Sequence, residues 1–194
     1  MRTFIGIFPP QEIQQQILDT LPHELRKSQS LRIEERSKLH CTLHFLGELT
    51  NQQVGEAIRR MALLDFPFSN LLIELRSFGV FPDLHNPRIL WISCENRSLH
   101  SVYDSIKKTL SPLGLGIEPG DFRFIPHITI GRVKRHQHAN LGTLRPLLKE
   151  FVNSVTLQSV VFEANSLSFM QSIISSKGST YEVIQHFPFI QQTR

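Results

Sequence analysis

Two short stretches constrain what this 194-residue chain can fold into more than anything else in it: Leu39–Gly47, LHCTLHFLG, and Pro126–Arg132, PHITIGR. Each carries a histidine, one intervening residue, a threonine and then an aliphatic residue, as His40-Cys41-Thr42-Leu43 and His127-Ile128-Thr129-Ile130. Both lie among β-favouring residues. On a strand, residues two apart point to the same face. Each stretch is therefore expected to present an imidazole beside a hydroxyl while its aliphatic neighbours enter a core. Two such strands facing each other would gather two imidazoles and two hydroxyls around one small anionic group.

The rest of the chain reads as alternating strands and helices. Arg2–Phe8 has the composition of a buried strand. Pro9-Pro10 ends it and opens a helix marked by Ile13, Ile17, Leu18, Leu21 and Leu25, with a kink or restart at Pro22. A short strand is expected at Leu31–Ile33, then the first histidine strand at Leu39–Leu46. Thr50-x-x-Gln53 is a capping-box signature, and Val54, Ala57, Ile58, Met61 and Ala62 come next with the spacing of an amphipathic helix. Strands at Phe68–Phe78 and Arg88–Cys94 flank a loop rich in turn residues. Leu99, Val102, Tyr103, Ile106 and Leu110 mark another helix, stopped by Ser111-Pro112 before a loop over Leu113–Gly120. The second histidine strand is expected at Phe122–Ile130. A basic loop, a helix over Leu141–Phe151 that Pro146 disfavours unless it sits in the first turn, and strands over Val155–Phe189 complete the order, with a hairpin turn at Ser176-Lys177-Gly178-Ser179. This reads as a duplicated α+β unit with two small sheets forming a single bilobed domain, 1–194.

Hydrophobic residues make up 40% of the chain and charged residues 20%, enough apolar matter for a real core. No apolar run reaches the roughly 18 residues of a membrane span, and the N-terminus reads as a strand rather than a signal peptide. Cys41 and Cys94 sit in apolar runs and are expected as free thiols in a reducing cytoplasm. The net charge of +4 allows, without requiring, a polyanionic partner.

A free imidazole titrates near pH ~6.5, so one histidine can accept a proton while its partner donates one near neutrality. Two histidines on opposite sides of a phosphodiester suit in-line displacement: one deprotonates the attacking water, the other protonates the departing oxygen. The Thr42 and Thr129 hydroxyls suit the non-bridging oxygens, where negative charge must be held. Spacing alone leaves other readings open. A single His-x-Thr on a strand is usually structural. His40 and His44 share strand parity, and Cys41 adds a sulfur, which raises a metal site. Zinc, however, needs three or four convergent ligands, and Cys41 is expected on the opposite face. His44 is expected to line the same groove as His40. His136 and His138 fall in a polar loop.

With their surroundings, the two motifs resemble the 2H phosphoesterase superfamily, and within it the RNA 2',3'-cyclic phosphodiesterases, also called 2'-5' RNA ligases. RTFIGIF resembles the family's opening strand, LHCTLHFLGEL and FIPHITIGR its two signature segments, FPDLHNPRILWIS its middle segment, and LSFMQSIISSKGSTYEVIQHF its C-terminal hairpin. The resemblance implies a bilobed α+β fold, two small antiparallel sheets with outer helices around a central groove. It implies hydrolysis of a terminal RNA 2',3'-cyclic phosphate to a 2'-phosphate by a monomer, with no metal, no cofactor and no membrane. By position it makes His40 the proton donor to the leaving 3'-oxygen, His127 the proton acceptor, and Thr42, Thr129 and Arg132 phosphate contacts; His44 is counted on the substrate side by strand parity alone. Arg132 is five residues from His127, so a regular strand would turn it away; the assignment requires the strand to end or twist at Gly131. The family commonly has a tryptophan where this chain has Ile33. The run Lys134-Arg135-His136 has two readings, contact with further RNA phosphates or a solvated loop. The same residues would also serve 2'-5' ligation by the reverse reaction, another small phosphodiester, or a non-catalytic RNA-end binder.

Overall fold

The structure is a computed structural model that describes residues 1–115, 123–134, 140–155, 160–175 and 178–189. Its opening obeys the proline logic. Strand β1 (Arg2–Ile7) runs into Pro9-Pro10, after which helix α1 (Gln11–Asp19) begins, and Pro22 starts a second, short helix, α2 (His23–Lys27). Strand β2 (Leu31–Ile33) and a 3-10 turn (Arg36–Lys38) lead to β3 (Cys41–Glu48), the first histidine strand. Helix α3 (Asn51–Met61) is fixed by the capping box: the Gln53 amide N–H donates to the Thr50 hydroxyl at 3.2 Å, and the Thr50 N–H donates to the Gln53 side chain at 2.9 Å.

The hairpin of β4 (Leu71–Phe81) and β5 (Ile89–Glu95) is shifted relative to the sequence expectation. Gly79 and Phe81, which fall in the stretch expected as a loop, belong to β4 because β5 pairs with them, Gly79 opposite Trp91 and Phe81 opposite Ile89. Gly79 is required there: a Cβ would lie 2.2 Å from the Trp91 indole packed across it. Helix α4 (Leu99–Leu110) ends in a 3-10 turn over Ser111–Leu113. The second histidine strand, β6 (His127–Val133), starts later than expected because Pro126, with no N–H, cannot extend the ladder. Helix α5 (Leu141–Ser154) is capped by the Asn140 side chain, and Pro146 lies inside it rather than in its first turn. Three strands complete the chain: β7 (Val160–Ala164), β8 (Ser166–Ser175) and β9 (Gly178–Pro188). Ser176 and Lys177 of the expected hairpin turn, and Arg135, His136 and His138 of the basic loop, lie outside the described residues.

Among the described residues the strands form one nine-stranded antiparallel array in the order β7-β4-β5-β6-β3-β1-β8-β9, with β2 paired to β6. The two small sheets expected from the sequence are its halves, β7-β4-β5-β6 and β3-β1-β8-β9. They meet where Cys41 of β3 pairs with Ile128 of β6. These are the central residues of the two His-x-Thr motifs, so a local twofold axis passes between them. One face of the array, with Ile5, Ile7, Cys41, Leu43, Leu90, Ile92, Ile128 and Ile130, joins the helices in one continuous apolar core. Both cysteines are buried free thiols. Among the described residues no helix is long and apolar enough to cross a membrane.

Candidate active site

The opposite face of the seam carries the chemistry. Because Cys41 and Ile128 pair antiparallel, His40 is set toward Thr129 and Thr42 toward His127, and the four side chains line one groove of about 420 Å³. Gly6 allows β1 to close on β3 here, since a Cβ would sit 2.8 Å from the Cys41 carbonyl.

Two β-bulges then decide what else faces the groove. In β3, Ile5 opposes His44 while Gly6 opposes Thr42, which leaves Leu43 without a partner on β1. In β6, Leu90 opposes Gly131 while Trp91 opposes Thr129, which leaves Ile130 without a partner on β5. An extra residue breaks the period-two alternation. After each bulge the outward position moves by one residue, so the faces read His40, Thr42, Phe45 and His127, Thr129, Arg132. The two motifs are thus equivalent down to the bulge and diverge beyond it, with a phenyl ring on one side and a guanidinium on the other.

This corrects one expectation and explains another. His44 is not a groove residue. It is 1% exposed, on the core side of β3, with its ring against Tyr103 at 5.3 Å. Parity counted from His40 failed because the bulge lies between them. Arg132 does line the groove, and the irregularity that turns it there sits at Ile130 rather than Gly131. Phe45, Glu34, Arg32 and Tyr181 also line the groove and were not singled out from the sequence. The signal that could have found Phe45 is its position, five residues after a motif histidine, matching Arg132 in the other motif.

Each imidazole is oriented in the same way. His40 Nδ1 lies 2.6 Å from the Lys38 carbonyl and His127 Nδ1 lies 2.7 Å from the Ile125 carbonyl, each two residues upstream. A carbonyl only accepts, so Nδ1 carries a proton in both rings, and Nε2 is left as the nitrogen that exchanges protons. Aromatic neighbours hold the rings. His40 stacks on Phe4 and Phe8, at 4.8 and 5.0 Å, and meets the edge of Tyr181 at 5.1 Å. His127 packs edge-on against Phe81 at 5.0 Å and Trp91 at 6.0 Å.

Those surroundings suppress the charged form of both histidines. Burial is the main cause in each case. His40 is pushed down to about 4, burial being opposed by the hydrogen bond to Lys38 and aided by the positive field of Arg132 and by His127. His127 is lowered too, by burial and by Arg132, against the hydrogen bond to Ile125. Near neutral pH both imidazoles are therefore expected to be neutral, beside an Arg132 guanidinium that is paired with Glu34.

The chain is similar to known proteins in sequence and in fold. Residues 10–189 match the family described as the AKAP7 2'5' RNA ligase-like domain. The chain is 29% identical to the RNA 2',3'-cyclic phosphodiesterase of Methanocaldococcus jannaschii, over 96% of this chain and all of the relative. It is 31% identical to the RNA 2',3'-cyclic phosphodiesterase of Aeropyrum pernix, over 79% of this chain and 84% of the relative. Among solved structures, TT0787 of Thermus thermophilus superposes with a TM-score of 0.81 at 23% identity over the full length of both chains. LigT of E. coli in complex with 3'-AMP superposes with a TM-score of 0.72 at 20% identity over 98% of each chain, a likeness of fold.

Proposed function

The chain belongs to the AKAP7 2'5' RNA ligase-like domain family, and from that membership and the groove we propose that it hydrolyses the 2',3'-cyclic phosphate at the end of an RNA to a 2'-phosphate. The observation that carries the reading is the pairing of Cys41 with Ile128. It sets two Nδ1-anchored imidazoles and two hydroxyls about one axis, the symmetry of a phosphorus centre attacked on one side and vacated on the other. The relatives named RNA 2',3'-cyclic phosphodiesterase, similar over most of their length, support the substrate.

In this mechanism His127 Nε2 takes a proton from water as the oxygen attacks phosphorus. The bond from phosphorus to the 3'-oxygen breaks, and protonated His40 passes its Nε2 proton to that oxygen. The Nδ1 protons stay on the rings, donated in hydrogen bonds to the Lys38 and Ile125 carbonyls, and fix ring orientation throughout. Thr42 and Thr129 donate hydrogen bonds to the two non-bridging oxygens, and Arg132 adds a guanidinium beside them. Every group named in this mechanism is a side chain of this chain. We place the activity in a reducing cytoplasm, a reading supported by the two buried free thiols. The reverse reaction, 2'-5' ligation, would use the same groups. In ~55 M water it competes only where two RNA ends are held together.

The test is a short RNA ending in a 2',3'-cyclic phosphate, incubated with the protein in EDTA. A 2'-phosphate product is expected. A 3'-phosphate product would exchange the leaving group and overturn the roles given to the two histidines. No conversion, with the RNA still bound, would leave a binding protein.

The suppressed histidines also set the pH profile. Turnover from free enzyme and free substrate requires one imidazole protonated and the other neutral. Both groups lie below their ordinary 6.5 in the empty groove, so kcat/KM is expected to peak below pH 6.5. The optimum in kcat is expected at higher pH, because a bound phosphate anion raises both groups. A kcat/KM maximum above pH 7.5 would contradict the burial argument.

A further inference from the structure

Arg132 does not stand alone in the groove. Strand β2 pairs antiparallel with β6 and sets Arg32 directly opposite Arg132. Like charges directly opposite on one sheet face repel. Glu34 lies between them. Its Oε1 accepts a hydrogen bond from Arg132 Nε at 2.9 Å and lies 3.7 Å from Arg32 Nη2. The Glu34 side chain is 15% exposed, against 46% for Arg132 and 53% for Arg32, so the carboxylate is the sheltered member of the three. Its backbone is fixed as well, by an N–H bond of 2.8 Å to the carbonyl of Ile130. Ile130 is the bulged residue that turns Arg132 into the groove. The bulge therefore places both the guanidinium and the carboxylate that grips it.

We propose that Glu34 is a positioning residue for Arg132: it holds Nε and screens Arg32, so that the terminal amino groups of Arg132 stay aimed at the substrate phosphate. The inference rests on the reading of Arg132 as a phosphate contact. It makes a prediction opposite to plain electrostatics. A carboxylate in a phosphate groove repels the substrate, so deleting one that only adds negative charge would tighten binding and raise kcat/KM. Deleting one that aligns a guanidinium lowers kcat without raising KM, because the misaligned group fails most where charge builds up in the transition state.

The experiment is a mutant cycle on the RNA with a 2',3'-cyclic phosphate end, using Glu34→Ala, Glu34→Gln, Arg132→Ala and the double variant Glu34→Ala/Arg132→Ala, with thermal melts of each. Glu34→Ala is expected to lower kcat about tenfold with KM unchanged or lower. Glu34→Gln, which retains the accepting oxygen and the shape, is expected to lie between it and the wild type. In the Arg132→Ala background, Glu34→Ala is expected to have no further effect. An equal loss from Glu34→Ala in both backgrounds would overturn the proposal, as would unchanged or faster turnover in Glu34→Ala while Arg132→Ala is impaired. Full turnover in Arg132→Ala would remove the phosphate role of Arg132 and this inference with it. Should Glu34→Ala fail to fold, Glu34→Gln decides the same question through the same cycle.

Discussion

His127→Ala and His40→Ala are each expected to lower the rate of cyclic-phosphate opening by at least ~100-fold, and up to ~10,000-fold, the range that positioned acid–base groups contribute. The two losses should not multiply. Both histidines act on one displacement, and once either proton transfer falls to water the other histidine has little left to assist. The double variant is therefore expected near the slower of the two singles. The suitable measurement is a single-turnover rate, which separates the chemical step from product release. Near-normal turnover in either single variant would overturn the two-histidine mechanism. Stability must be tracked in parallel for His40→Ala, because the ring stacks on Phe4 and Phe8 and its removal opens a gap among them. His127, held edge-on by Phe81 and Trp91, gives the cleaner kinetic comparison.

The second large effect is on stability in acid. His44 is buried in the core, and burial, with the field of Lys107 behind it, lowers it to about 4; His40 is lowered to about 4 as well. An unfolded chain protonates both near pH ~6.5, whereas the native protein takes up these protons only near pH 4. Above pH 6.5 neither group distinguishes the two states. Between pH 6.5 and 4 the unfolded chain binds more protons, so stability falls as pH falls. By pH 4 each group is expected to have cost about 3 kcal/mol, a large part of the ~5–15 kcal/mol available to a domain. Denaturant melts from pH 7.5 to 4.5 measure this slope. His44→Leu is expected to reduce it by about one proton while leaving turnover within a factor of about two, since His44 does not reach the groove. An unchanged slope in His44→Leu would refute the core assignment, and a loss of turnover as large as that of His127→Ala would return His44 to the site.

Much of the fold was legible because local rules agreed with tertiary packing. Pro9-Pro10 and Pro22 delimit α1 and α2, Thr50 and Gln53 cap α3, and the apolar spacing of α3 and α4 matches the faces they bury. Strand limits were less legible. Gly79 and Phe81 lie in a stretch whose glycine, prolines, Asp83 and Asn86 read as a loop, and they become strand because β5 supplies their ladder partners. Pro146 counts against a helix unless it lies in the first turn, yet it lies within α5.

In the site, sequence alone determined the four groups nearest the proposed reaction. His40, Thr42, His127 and Thr129 each need only the alternation of a strand over three residues, and no partner strand changes which face they share. Everything past the third residue depended on how the strands register with their neighbours. Period-two alternation carries a side chain's direction along a strand only while each residue has an opposite number. At Leu43 and Ile130 that correspondence slips by one. The slip sends His44 into the core, turns Phe45 and Arg132 into the groove, and brings Glu34 beside Arg132. A bulge is a property of two paired strands, not of one. Only the tertiary structure, by fixing β1 against β3 and β5 and β2 against β6, could decide those positions.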